Sequence, residues 1–172
     1  AEISDHLKRA VLAAEDDGFT QHEGVQWQAI EQARLRNERA LERANDKRPA
    51  KLRGGSTVTQ QLAKNLLLSG ERTLLRKGQE LVLAYALEHL LDKRRILEIY
   101  LNNVEWGQGV FGAEAAARHY FGTSAKQLSA AQAARLAVML PAPKRFEKAP
   151  QSAYLTARAR AIQGRMAATQ LP

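Results

Sequence analysis

Two places in this sequence gather side chains that could do chemistry. The first is Glu15-Asp16-Asp17, a run of carboxylates followed by Gly18, His22 and Gly24. The second is the stretch from Gly54 to Glu80, GGSTVTQQLAKNLLLSGERTLLRKGQE. There a glycine pair leads into Ser56 and Thr57, and Thr57 with Gln60 has the spacing of a capping box that starts a helix. Past that start, Val58, Leu62 and Leu66 fall on one helical face, and Thr57, Gln60 and Lys64 on another. A helix N-terminus with hydroxyls, amides and a lysine beside it is suited to hold an anion. Arg72, Arg76 and Lys77 add further cations, and Glu80 then opens a strongly apolar run. Cations for a phosphate with a carboxylate beside them point to chemistry at a phosphorylated substrate.

Each feature also has a plainer explanation. A run of acids in a basic protein can be a solvated turn; alternatively, the apolar helix Leu7 to Ala14 behind it sets a carboxylate at the lip of a cleft. Glu80 in a helical first turn is favoured by the helix dipole alone. Beside Lys64, Arg76 and Lys77 it reads instead as part of a site. His22 lacks a second histidine four residues on, so the spacing is not that of a zinc helix, and it is expected as a hydrogen-bonding, structural histidine near the site. His89 is expected to be packed or on the surface.

The elements that must position these groups are almost all helical. Leu7 to Ala14 is a short apolar helix, and Gly18 and Gly24 mark the loop after it. Val25 to Leu35 carries Trp27 and Ile30 on a short amphipathic helix; from Arg34 to Arg53 the chain is dense in arginine and lysine, either a solvated face or a membrane-facing segment. Glu80 to Leu101 has the longest helical pattern, two helices joined near Asp92, with the first half apolar nearly all round and therefore expected to be buried. Gly107-Gln108-Gly109 and Gly112 form a turn region without the Gly-Lys-Ser of a phosphate loop. Ala113 to Tyr120 is a small-residue helix ending at Phe121-Gly122. Ser129 and Gln132 make a second capping box, opening an apolar core helix that Pro141 and Pro143 terminate. Tyr154 to Met166 is a basic helix. No alternating strand is evident, so the expected fold class is mainly α.

At 172 residues the chain suits one domain with a sizeable core, and its 45% hydrophobic content excludes a disordered chain. A net charge of +8 favours polyanionic partners or anionic surfaces. Without cysteine, thiol chemistry, disulfides and thiolate metal sites are excluded. No signal peptide or membrane span is visible; the most apolar run, near Leu136 to Leu140, is interrupted by Arg135. The chain opens at Ala1 rather than methionine, and an N-terminal portion is expected to be missing.

The motifs themselves resemble those of the family 51 glycosyltransferases, the peptidoglycan-polymerising transglycosylases. Glu15-Asp16-x-x-Phe19-x-x-His22-x-Gly24 is similar to the first signature motif of that family. Gly54 to Asn65 matches the second, Gly-Gly-Ser-Thr-x-Thr-Gln-Gln-Leu-x-Lys-Asn, with Val58 where isoleucine is common. Arg76-Lys77-x-x-Glu80 matches the third. Lys93-x-x-Ile96-Leu97-x-x-Tyr100-Leu101-Asn102 matches the fourth, expected to be mainly architectural.

The resemblance implies a lysozyme-like, two-lobed helical domain over 1–172, with about 25–75 as a small membrane-proximal jaw lobe. It implies polymerisation of lipid II into β-1,4-linked glycan strands, with inversion at the donor anomeric carbon and release of undecaprenyl pyrophosphate. Glu15 takes the role of general base, with Glu80 as second catalytic carboxylate. Asp16, Ser56, Gln60, Gln61, Lys64, Arg72, Arg76 and Lys77 bind substrate, and Arg158 aligns with an arginine used near the substrate phosphates. Glu80 is left with two roles: holding a divalent cation, Mg²⁺ or Mn²⁺, or orienting a basic residue. No organic cofactor is implied. Expected partners are lipid II, the growing lipid-linked strand, the membrane surface and other cell-wall synthesis or division proteins, but no nucleic acid. The expected location is the periplasmic side of a bacterial inner membrane, held by an N-terminal anchor absent from this chain. No Ser-x-x-Lys or Lys-Thr-Gly transpeptidase motif is present, so the chain resembles the monofunctional form, or a domain excised from a bifunctional one; the tail after Pro141 favours the former.

Two rivals remain at this stage. A lysozyme-like peptidoglycan hydrolase would also use two carboxylates, yet has no pyrophosphate to neutralise with Lys64, Arg72, Arg76 and Lys77. A basic helical nucleic-acid-binding module would explain the charge but not the Glu15-Asp16-Asp17 cluster or the amide-hydroxyl pattern.

Overall fold

The first helix of the computed structural model, α1 (Asp5–Glu15), starts where Ser4 accepts the Leu7 amide and buries Leu7, Ala10, Val11, Leu12 and Ala13. The structure describes residues 2–44, 54–67 and 74–172. After α1, a single 3-10 turn at Phe19–Gln21 leads to α2 (Trp27–Glu42), α3 (Val58–Leu67), α4 (Leu74–Leu90) and α5 (Lys93–Asn103). A two-stranded antiparallel hairpin, β1 (Glu105–Gly107) and β2 (Val110–Phe111), interrupts the helices. Then come α6 (Ala113–Phe121), α7 (Ala130–Met139), the short α8 (Pro143–Phe146) and α9 (Ala153–Met166). The mainly α reading holds, with this small hairpin as its one addition among the described residues. The strands are too short to show an alternating pattern, yet they seat the buried Trp106, whose indole N–H donates to the Leu136 carbonyl at 3.0 Å.

The core is built around α7. Its capping box forms as expected, with Ser129 and Gln132 exchanging bonds, and it packs between α1 and α9. The buried residues of these helices are rich in alanine: Ala10 and Ala13 of α1, Ala133, Ala134 and Ala137 of α7, and Ala159 of α9. Small side chains let helix axes approach closely, and Leu7, Leu12, Leu136, Met139 and Leu155 fill the space between. Truncating one of these leucines to alanine would cost about 2–5 kcal/mol.

The elements before and after α3 are less embedded. α2 buries only Ala33, and α4 only Glu80 and Ala84. In the helical run that opens at Glu80, Val82, Tyr85 and Leu90 are 69%, 37% and 78% exposed, which corrects the expectation of a buried first half. Leu74 and Leu75, before that run, are exposed as well. α4 also begins at Leu74, so Glu80 lies in its second turn rather than at its start. Leu66, expected on the face of Val58 and Leu62, is exposed while those two are buried. α3 is the joint of the molecule: it packs against both α4 and α5. Among the described residues, no helix is long and apolar enough to cross a membrane.

Candidate active site

The end of α1 and the start of α3 meet through Asp16. Its carboxylate accepts from His22 Nε2 at 2.9 and 3.0 Å and from the Val58 amide at 2.9 Å. The Gly24 amide donates to His22 Nδ1 at 3.2 Å, which leaves the ring proton on Nε2, facing Asp16. His22 is thus the structural histidine expected from the sequence. Gly24 has φ +86° and lies so close to the Ala84 carbonyl that a Cβ would come within 3.2 Å of it. Thr57 Oγ1 closes the arrangement by donating to the Gly24 carbonyl at 2.6 Å.

The capping box at α3 also forms. The Thr57 amide donates to Gln60 Oε1 at 2.9 Å, and the Gln60 amide to Thr57 Oγ1 at 3.1 Å. The anion held at the start of α3 is the protein's own Asp16, and the amides of Thr57, Val58 and Gln60 already have partners. Asp16 and Gln60, expected to touch substrate, are 4% and 0% exposed and turned into the protein. Among the described residues Gln60 Nε2 has no hydrogen-bond partner.

Turning Asp16 inward leaves Glu15, the last residue of α1, half-buried one position earlier. Its Oε2 accepts from Gln61 Nε2 at 2.9 Å, and Gln61 Oε1 accepts from the Tyr100 hydroxyl at 2.9 Å. Burial raises the Glu15 pKa above its ordinary value; the Gln61 bond opposes that shift and the negative charge of Asp16 adds to it. A carboxylate so placed is a stronger base than a solvated one. Tyr100 comes from the motif read as mainly architectural, so its contact with Gln61 was missed. Only the packing of α5 on α3 brings the two together.

Of the predicted cations, Lys77 is the one the structure ties to the start of α3. Lys77 Nζ donates to Ser56 Oγ at 2.9 Å and to Glu80 Oε1 at 2.5 Å. Glu80 is 6% exposed, so its charge is anchored and Lys77 is held in turn. Lys64 is exposed on α3 and Arg76 half-buried on α4. Arg72 lies outside the described residues. Arg158 stands exposed on α9, a helix packed on α7 and α1, and the structure does not join it to the other site residues.

A second network, not anticipated from the sequence, ties the site's elements together. Glu88 on α4 accepts from Thr59 of α3 at 2.6 Å and from Lys93 of α5 at 2.8 Å. The Lys93 ammonium also lies 4.5 Å from the centre of the Phe19 ring, in the loop after Glu15. As to metals, no group of three or more His, Asp or Glu side chains among the described residues is placed to hold one.

The transglycosylase family model matches residues 1–167 of this chain. The biosynthetic peptidoglycan transglycosylase of Bordetella pertussis is 57% identical over 170 residues, covering 99% of this chain and 69% of that protein. Those of Herminiimonas arsenicoxydans and Paraburkholderia phytofirmans are 56% and 55% identical, over 99% of this chain and 70% and 68% of theirs.

Proposed function

The chain belongs to the transglycosylase family, and on that premise we propose how it forms its bond. It is a peptidoglycan glycosyltransferase whose substrates are lipid II and the glycan strand. In the proposed step, Glu15 takes the proton from the 4-hydroxyl of the acceptor sugar. The freed oxygen attacks the anomeric carbon of the lipid-linked donor from the face opposite its pyrophosphate. The bond from that carbon to the phosphate oxygen breaks, and undecaprenyl pyrophosphate leaves with the electron pair. The product is a β-1,4 linkage with inverted configuration. Lys77, fixed between Ser56 and Glu80, stabilises the charge on the leaving pyrophosphate. Lys64, Arg72 and Arg76 are assigned to the same task by the motifs they stand in. Arg158 is a substrate contact only if the lipid-linked strand extends to α9.

The observation that carries this reading is Glu15 itself: a half-buried carboxylate with a raised pKa and one oxygen already held by Gln61. Glu80 acts by orienting Lys77. Were a divalent cation to arrive with the substrate pyrophosphate, Glu80 is the carboxylate that would reach it, in competition with the Lys77 ammonium 2.5 Å from its Oε1.

The test is incubation with lipid II, with EDTA or Mg²⁺, separating products by size. Long strands together with free undecaprenyl pyrophosphate, at rates within about two-fold in EDTA, are expected. A rate that collapses on chelation and recovers with Mg²⁺ would make Glu80 a metal ligand instead. Cutting of preformed strands with lipid II untouched would make the chain a hydrolase.

The lipid tail of the substrate places the reaction at a membrane, and the exposed Leu66, Leu67, Leu74, Leu75 and Val82 supply an apolar surface for it. On this reading the domain works on the periplasmic side of the inner membrane, beside other cell-wall synthesis proteins.

A further inference from the structure

Glu15, Gln61 and Tyr100 form a hydrogen-bonded row across three helices, and chemistry fixes the direction of each bond. A carboxylate only accepts, so the Gln61 amide must turn Nε2 towards Glu15. Its Oε1 then faces Tyr100, whose hydroxyl must donate. Both contacts measure 2.9 Å. Tyr100 is 1% exposed, and burial with the nearby charges of Glu15 and Asp16 pushes its pKa up, so it keeps its proton and is not itself an acid or base in the reaction. Among the described residues, nothing donates to Glu15 Oε1.

We propose that Tyr100 is a positioning residue for the transfer: by anchoring Gln61 it holds Glu15 Oε2 and leaves Oε1 to receive the acceptor proton. The inference rests on Glu15 being the base. Without the hydroxyl, the amide is free to rotate and present Oε1 to the carboxylate, an arrangement that favours protonated Glu15. The titratable groups bearing on Glu15 are Asp16, at the end of the same helix, and Tyr100 from α5. Asp16 is itself paired with His22 and the start of α3.

The experiment measures lipid II polymerisation across pH in Tyr100→Phe, Gln61→Ala, the double variant and Glu15→Gln. Tyr100→Phe should lower kcat about 10-fold with KM within about two-fold, part of the 10²–10⁴-fold worth of a general base. The acid limb of its rate profile should move to higher pH, which a merely structural tyrosine would not cause. The double variant should be no slower than Gln61→Ala, because Tyr100 acts only through Gln61. An unmoved acid limb, or single effects that multiply in the double variant, overturns the proposal. Should Tyr100→Phe fail to fold, Gln61→Leu carries the same test: its acid limb must also rise, and an unmoved limb is fatal. Active Glu15→Gln would remove the base assignment itself, whereas inactive Glu15→Gln with normal Tyr100→Phe removes only the role of Tyr100.

Discussion

Glu15 is kept partly out of water by the fold, and the proposed transfer needs it charged. Its raised pKa has two consequences with opposite signs for activity and stability. Activity requires the carboxylate, so the rate should fall as pH drops through the raised value, and the acid limb of kcat/KM should lie above the ordinary 4.5. An acid limb at or below 4.5 would show that Glu15 is not the titrating base. For stability, a carboxyl whose pKa is higher folded than unfolded binds more protons in the native state between the two values. Stability is then lost as pH rises through that window. Glu15→Gln should therefore stabilise the protein at neutral pH, by on the order of 1 kcal/mol, with the gain shrinking in acid. Thermal melts at neutral and acid pH check this, and a destabilised variant at neutral pH would contradict it.

At the scale of elements, the site is a junction of helix ends. Asp16 joins the end of α1, the loop of His22 and the first turn of α3, and asparagine cannot replace it. One of its side-chain atoms would become a donor, facing either the Val58 amide or His22 Nε2–H. Asp16→Asn should cost about 2–3 kcal/mol in urea unfolding, the penalty for leaving buried groups unpaired. Activity should fall with it, because α3 carries Gln61. Both capping boxes could be read directly from the sequence, since a cap is a local pattern of three intervals. So could the break at Asp92, which accepts the Arg95 amide at 2.7 Å. The Tyr100–Gln61 pair, 39 positions apart, could not, because it exists only once α5 lies on α3. The role of Asp16 was hidden for a related reason. Three adjacent acids look alike in sequence, and only the end of α1 separates inward Asp16 from exposed Asp17 and the poised Glu15.

For the whole molecule, the largest difference from the sequence reading is α4. The all-round apolar pattern from Glu80 onward signals burial when water is the only solvent considered, yet Val82, Tyr85 and Leu90 are exposed, as are Leu74 and Leu75 before it. On the proposed function a membrane surface would cover such residues, and the net charge of +8 would strengthen attachment to anionic lipid. Paired substitution of Leu74 and Leu75 by Glu should weaken binding to anionic vesicles by about 10-fold or more while leaving the melting temperature near that of the native protein. If binding persists at high salt in that variant, the apolar surface is not what holds the lipid. The family assignment was the most legible feature of all, because three dense motifs and a fourth fall in order along one chain.

The most direct measurement is single-turnover transfer from lipid II by Glu15→Gln beside the native protein at neutral pH, with folding checked by circular dichroism. The expected result is a folded variant at least about 100-fold slower in both strand growth and undecaprenyl pyrophosphate release. A folded variant that polymerises at the native rate would contradict it.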